Sequence, residues 1–259
     1  MSDTVLFRRD GQVGIVTLNR PERHNAMDDE ASERYREVIE KAIADDAVRV
    51  VLLRGAGKSF CSVRDTTMLG HRARDESDYH FVLRAQQGRL KVLESPKPFV
   101  AALKGAVIGG GAEMALGCDI RIAASDLKMA VPEIDYGLLP DTGATQYLAN
   151  LIGTSRAKYM VMTGEPIDAQ TALEWGAVDF LVEPGELDDK ALELARKIAS
   201  KPPIALAMAK TMIDQGVAGS VRNGIAQELL AQTALFKTQD YAEARAALRE
   251  KRAPAYTGR

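Results

Sequence analysis

An α/β fold with mostly parallel strands is predicted by three features of the sequence. Short β-branched and aliphatic runs alternate with helical patterns, often with two strands before a helix. The chain of 259 residues is 46% hydrophobic and 27% charged, enough apolar material for one substantial core. After about Gly185 the composition turns rich in Ala, Leu and Glu, as expected of a helical layer.

Val13 to Leu18 and Val48 to Leu53 read as strands. Between them, Asp29 to Ala44 places Ala31, Tyr35, Val38, Ile39, Ala42 and Ile43 at helical spacing. Asp28, Asp29 and Glu30 suit the start of that helix. Further strands are expected at Phe99 to Leu103, Asp119 to Ala124, Lys128 to Val131 and Ala177 to Val182. Helices are expected around His80 to Glu94, Gly110 to Leu116, Ser155 to Met162 and Ala169 to Trp175. From Leu187 to Leu248 the pattern is helical, broken by Lys201-Pro202-Pro203 and by Gly216 to Gly219. The expected division is a core over residues 1–195 and a helical region over 196–259.

Composition excludes several function classes. Lys and Arg total 34 against 36 Asp and Glu, and this balance gives no basis for nucleic-acid binding. Cys61 and Cys118 are the only cysteines and lie far apart, so neither a disulfide framework nor a cysteine zinc site is expected. His24, His71 and His80 form no metal-binding pair. No apolar run approaches the roughly 18 residues of a spanning helix, and Met1 to Gly11 lacks the apolar stretch of a signal peptide. A soluble, cytoplasmic protein without a metal is expected.

Three stretches carry chemistry. In Val100 to Ser125, Gly109-Gly110-Gly111 stands at a strand-to-helix junction with Glu113 one turn later. Glycines let a backbone approach a ligand, and the first N–H groups of a helix are free to hold an oxyanion. The plainer alternative is a tight turn followed by an exposed first-turn Glu. In the second stretch, Phe60-Cys61-Ser62-Val63-Arg64-Asp65 follows a Gly-rich turn, and Ser62 is placed to offer another backbone N–H. Gly57-Lys58-Ser59 resembles the end of a phosphate-binding loop, but Leu52 stands where that motif needs Gly. The third stretch, Met129 to Gly143, carries Glu133 and Asp141. Paired carboxylates divide acid and base work when their surroundings push their pKa values apart. Taken singly, both read as solvated loop acids.

Together these stretches resemble the crotonase family, the enoyl-CoA hydratase/isomerase superfamily. The resemblance runs through Asn19 to Ala26, Lys58 to Asp65, Gly105 to Asp119, Val131 to Leu148 and Glu250 to Arg259, in the family's order. It implies a spiral of ββα units with C-terminal helices that pack homotrimers or dimers of trimers. It also implies an acyl-CoA thioester substrate, no cofactor beyond the coenzyme A of that substrate, and no nucleic-acid or membrane partner. By resemblance, the Ser62 and Gly110 N–H groups form the oxyanion hole beside Gly109, and Glu113 and Glu133 match both acids of the hydratases. Arg23, His24, Ala26, Lys58, Cys61, Arg64, Asp65, Leu139 and Lys251 fall at positions implied to contact the substrate.

Three departures from the family pattern stand out. Val63 replaces a usual Gly, and a β-branched residue disfavours positive φ. Asp141 replaces a small residue, as in isomerase-like and dehalogenase-like relatives. Ala244 and Leu248 stand where Gly and Phe are common. Hydration of a trans-2-enoyl-CoA is the expected reaction. The alternatives are an isomerase or another acyl-CoA reaction using Asp141, and a non-catalytic binding or assembly protein of the same fold.

Overall fold

The computed structural model describes residues 3–62, 74–217 and 219–259. The chain opens with β1 (Val5–Asp10) and β2 (Val13–Leu18), then α1 (Asp29–Ala44), β3 (Val50–Gly55) and α2 (Asp78–Leu93). Next come β4 (Phe99–Leu103), β5 (Ala106–Ile108), α3 (Gly110–Leu116), β6 (Ile120–Ala124) and β7 (Lys128–Ala130). A 3-10 turn at Pro132–Tyr136 leads to α4 (Ala144–Ile152), α5 (Thr154–Thr163), β8 (Ile167–Asp168), α6 (Ala169–Trp175) and β9 (Phe180–Val182). The chain ends in α7 (Leu187–Ala199), α8 (Pro203–Gly216), α9 (Val221–Leu235) and α10 (Gln239–Glu250).

Six strands form one sheet in the order β1-β2-β3-β4-β6-β9, parallel throughout except for the β1–β2 hairpin. A smaller sheet follows the order β5-β7-β8 and is extended by a bridge from Cys61 to Val107. The chain therefore alternates between a long strand of the first sheet and a short one beside it. β3 is followed by the Cys61 bridge, β4 by β5, and β6 by β7. Each turn of this spiral then passes into a helix.

The long strands are apolar on both faces because both are covered. Val16, Leu18, Val51, Leu53, Phe99, Ala101 and Leu103 enter the main core with α1 and α3. Their neighbours Val13, Ile15, Val50, Leu52, Val100 and Ala102 point the other way, onto Leu187, Ala191, Ala195 and Ala199 of α7. The expected boundary at residue 195 thus falls inside α7, a helix whose four-residue repeat is buried on the sheet. The N-terminal segment, read from sequence only as lacking a signal peptide, is the edge strand β1. Its Val5 is fully buried.

Helices α8 and α9 bury no residue, and Ile213, Val221, Ile225, Leu229 and Leu230 are exposed on them. Among the described residues, no helix is long and apolar enough to cross a membrane.

Candidate active site

The site lies where the short strands hand over to α3, the 132–136 turn and α4. Phe60 to Ser62 runs beside β5, with the Cys61 N–H donating to Ala106 O at 3.1 Å and Ile108 N–H donating to Cys61 O at 3.0 Å. Gly111 presses α3 against this segment so tightly that a Cβ would sit 2.4 Å from Cys61 O. A side chain there would force the two walls apart. Burial pushes the Cys61 thiol up to about 12, and Cys118 likewise, so neither is a nucleophile at neutral pH.

Glu113 is not the exposed first-turn acid of the plainer alternative; it is only 2% accessible. One carboxylate oxygen accepts from Thr142 N at 2.8 Å and Ala144 N at 3.1 Å, the other from Thr142 Oγ1 at 2.5 Å. Gly143 makes this convergence possible. Its φ of 126° aims the N–H groups on either side at one oxygen, and a Cβ there would strike the Tyr147 ring at 2.4 Å.

Glu133, in the 3-10 turn after β7, contrasts with this. One of its carboxyl oxygens is buried without a partner. Burial pushes its pKa from 4.5 to about 7, with the nearby charges of Glu113 and Asp141 adding to the rise and a backbone hydrogen bond opposing it. The solvated-acid alternative fails for Glu133. It holds in part for Asp141, which is exposed, and whose carbonyl accepts from Gln86 Nε2 at 2.8 Å.

Three comparisons with known proteins bear on this geometry. Residues 8–259 match the family described as enoyl-CoA hydratase/isomerase. The chain belongs to the enoyl-CoA hydratase/isomerase family. It is 36% identical over 252 residues to the short-chain-enoyl-CoA hydratase of Clostridium acetobutylicum, covering 96% of each chain. It is 37% identical over 247 residues to the (E)-benzylidenesuccinyl-CoA hydratase of Thauera aromatica, covering 95% of this chain and 96% of that one. The crystal structure of enoyl-CoA hydratase from Bacillus anthracis superposes with a TM-score of 0.93 at 34% identity, covering 99% and 100% of the two chains. The crotonase fold expected from the motifs is the fold observed.

In this enoyl-CoA hydratase/isomerase family member, the loop around Arg23, His24 and Ala26 is brought beside Lys58, Cys61 and Ser62. Buried Asn25 makes the junction. Its side chain donates to Ala56 O at 2.9 Å and Ser59 O at 2.8 Å, and accepts from Arg20 N at 2.8 Å. Its φ of 57°, a conformation Asn tolerates well, is the physical reason for the residue type.

Ser62 needs a correction. Its N–H is already spent on His24 O at 2.8 Å, so in this conformation it offers no donor to an oxyanion. Gly110, as the first residue of α3 after Gly109, keeps a helix-start N–H. Arg23 and Lys58 are exposed, Ala26 is buried, and Leu139 is 64% exposed on the loop after Glu133.

Lys251 caps α10 with a φ of 53°, and no described contact joins it to the site within one chain. The tail beyond it is held at the opposite strand ends, where Arg49, just before β3, donates to Tyr256 O at 2.5 Å. Arg64, Asp65, Val63 and His71 lie outside the described residues. Thr142, which completes the Glu113 cradle, was missed. The only signal for it was its place between Asp141 and Gly143. Among the described residues no cluster of His, Cys, Asp and Glu suits a metal ion.

Proposed function

We propose that this chain adds water across the double bond of a trans-2-enoyl-CoA thioester. One observation carries the reading: two neighbouring carboxyl groups sit in opposite surroundings. Glu113 accepts hydrogen bonds from Thr142 N, Thr142 Oγ1 and Ala144 N, which hold its carboxyl group in one orientation. Glu133 is half-buried with a pKa near 7 and keeps a proton to give. A water held by Glu113 attacks the β-carbon and passes one proton to that carboxylate, while Glu133 delivers its proton to the α-carbon. The C=C π bond breaks, a C–O and a C–H bond form, and proton exchange through water resets the pair. The Gly110 N–H stabilises the enolate oxygen that develops on the thioester; one such donor is worth about 3 kcal/mol.

The same reading needs no cofactor beyond the coenzyme A of the substrate. The exposed apolar residues of α8 and α9 favour a homotrimer or a dimer of trimers. Two free, buried thiols fit a reducing compartment, and we assign the protein to the cytoplasm.

Asp141 supports a second reading, isomerisation, because its charge reaches Glu133. Incubation with 2-enoyl-CoA and 3-enoyl-CoA separates the two by the absorbance of the conjugated thioester. Loss from the 2-enoyl substrate supports hydration, and gain from the 3-enoyl substrate supports isomerisation. No change in either, with coenzyme A thioesters still bound, defeats both in favour of a binding role.

A further inference from the structure

At the centre of the turn that holds Glu113, Gly143 has no side chain to fix it, and α4 starts directly after it without a side-chain cap. Gly143 O accepts from Gln146 N at 3.0 Å and from Tyr147 N at 2.9 Å, which ties the turn to the start of α4. Those bonds hold the local shape of the turn. Its seat against α3, the helix that carries Glu113, is set by packing.

The Tyr147 side chain fills the space between the two. A Cβ built on Gly143 would lie 2.4 Å from Cε2 of the ring and 3.0 Å from Cδ2 and Cζ, so the ring lies close against that glycine. The hydroxyl and Cε2 lie 3.4 and 3.5 Å from a Cβ built on Gly117, at the C-terminal end of α3. Glu113 stands one turn before Gly117, whose N–H donates to Glu113 O at 3.1 Å. The ring therefore spans from the turn that supplies the donors to the helix that carries the acceptor. It is half-buried, packs on the main core, and has little room to shift between two glycines. Burial raises the pKa of its hydroxyl, with Cys118 and Glu113 adding to the rise, so the ring stays neutral beside the Glu113 carboxyl group.

We propose that Tyr147 is a positioning residue: its ring wedges the 142–144 turn against α3 and keeps the three donors converged on Glu113. Its consequence for turnover rests on the reading of Glu113 as the group that holds and activates water, and extends that reading to the packing that keeps Glu113 aimed. A shift of about 1 Å in a positioned group costs up to about 100-fold in rate.

The test reads the turn and the reaction separately. Amide hydrogen exchange, followed by mass spectrometry with residue-level fragmentation, reports protection at Thr142 and Ala144, with the buried Val38 and Ile39 of α1 as reference. Steady-state kinetics with a trans-2-enoyl-CoA reports kcat and KM. In Tyr147→Ala, exchange at Thr142 and Ala144 is expected to quicken at least about 10-fold more than at Val38 and Ile39, and kcat to fall about 10- to 100-fold with KM within about 3-fold of wild type. Tyr147→Phe, which keeps the ring, is expected to match wild type in both readings. Tyr147→Leu takes the place of the alanine variant if that one does not fold, and is expected to move both readings in the same direction by less.

Exchange that quickens equally in the turn and in α1 overturns the proposal, because it marks Tyr147 as general packing. A fall in kcat with the turn protected as in wild type overturns it too, and so does a Tyr147→Phe variant as impaired as Tyr147→Ala, which assigns the effect to the hydroxyl. If wild type hydrates no enoyl-CoA while the turn loosens selectively in Tyr147→Ala, the hydration reading fails and the wedge stands. If wild type hydrates its substrate and Tyr147→Ala leaves the turn intact, the wedge fails and the hydration reading stands.

Discussion

Glu113 and Glu133 are both carboxyl groups at the edge of one apolar core, and the chain treats them differently. The wall that bears Glu113 is tightly fixed. α3 is pressed onto Cys61 through Gly111, and the Thr142-Gly143-Ala144 turn closes over the carboxylate with three donors. The edge that bears Glu133 is a short 3-10 turn with no buried residue, followed by exposed Tyr136, Leu138 and Leu139. Its carboxyl group is half-buried with one oxygen unpartnered, burial outweighs the one backbone hydrogen bond that opposes it, and so it keeps its proton longer. The difference teaches that an acid–base pair needs no unusual side chain. Two copies of one residue suffice when one sits in a nest of donors and the other does not.

The largest expected effect comes from removing either charge function. Glu113→Gln replaces an acceptor-only carboxylate by an amide that cannot take a proton, and Glu133→Gln removes the transferable proton. Each is expected to lower kcat by about 1000-fold or more, with thioester binding retained, because general acid–base groups contribute about 100- to 10,000-fold each. Stopped turnover with intact binding by calorimetry supports the division of labour. Wild-type-like turnover in both variants would sink it.

Next in size is an attack on the rigid wall. Gly111→Ala must accommodate a Cβ only 2.4 Å from a backbone oxygen, and is expected to lose about 2–3 kcal/mol of stability together with activity. A thermal melt unchanged from wild type would show that the wall yields more readily than its packing implies. Thr142→Val is gentler. It leaves the backbone donors and removes one hydroxyl, so kcat is expected to fall about 10-fold with little change in KM, and Thr142→Ser to restore it.

The fold was legible in the sequence where periodicity was strong. Asp29–Ala44 was predicted as a helix at its observed limits, because its apolar positions repeat at helical spacing and Asp28 caps it, its carboxylate accepting from Ala31 N at 2.8 Å. β1 and α4 were not predicted. β1 is an edge strand whose side chains are mostly solvated, so it shows little alternation, and α4 begins directly after a glycine at positive φ with no side-chain cap.

At the site, Glu113 and Glu133 could be named from motifs, but their opposite environments could not. Those depend on Thr142 and Ala144, about thirty residues from Glu113, and on how deeply the 132–136 turn is set. Ser62 shows the reverse error. Its place in the motif was visible, while the carbonyl that occupies its N–H belongs to His24, in a different loop.

Proton release from Glu133 gives a subtler handle. With a folded pKa near 7, the protonated acid is lost as pH rises, so kcat/KM for hydration is expected to decline about 10-fold per pH unit above neutrality. The limb should vanish in Glu133→Gln, whose residual rate no longer titrates there. A wild-type profile flat from pH 6 to 9 would remove Glu133 from the role of acid.

The smallest effect is on stability, and it runs against the loss of activity. A carboxyl group whose pKa is raised on folding, here from 4.5 to about 7, ionises first in the unfolded chain. As pH climbs through that window the unfolded state releases its proton while the native state retains one, and native stability declines; above the window the penalty is constant. Glu133→Gln removes the penalty. At pH 8 the variant is expected to be more stable than wild type by about 1 kcal/mol, after allowance for the partial exposure of the group, and at pH 4 the two should match. Denaturant melts at the two pH values decide it. A variant that is less stable at pH 8 would mean that Glu133 is held by partners that stabilise its anion, and the contrast with Glu113 would collapse.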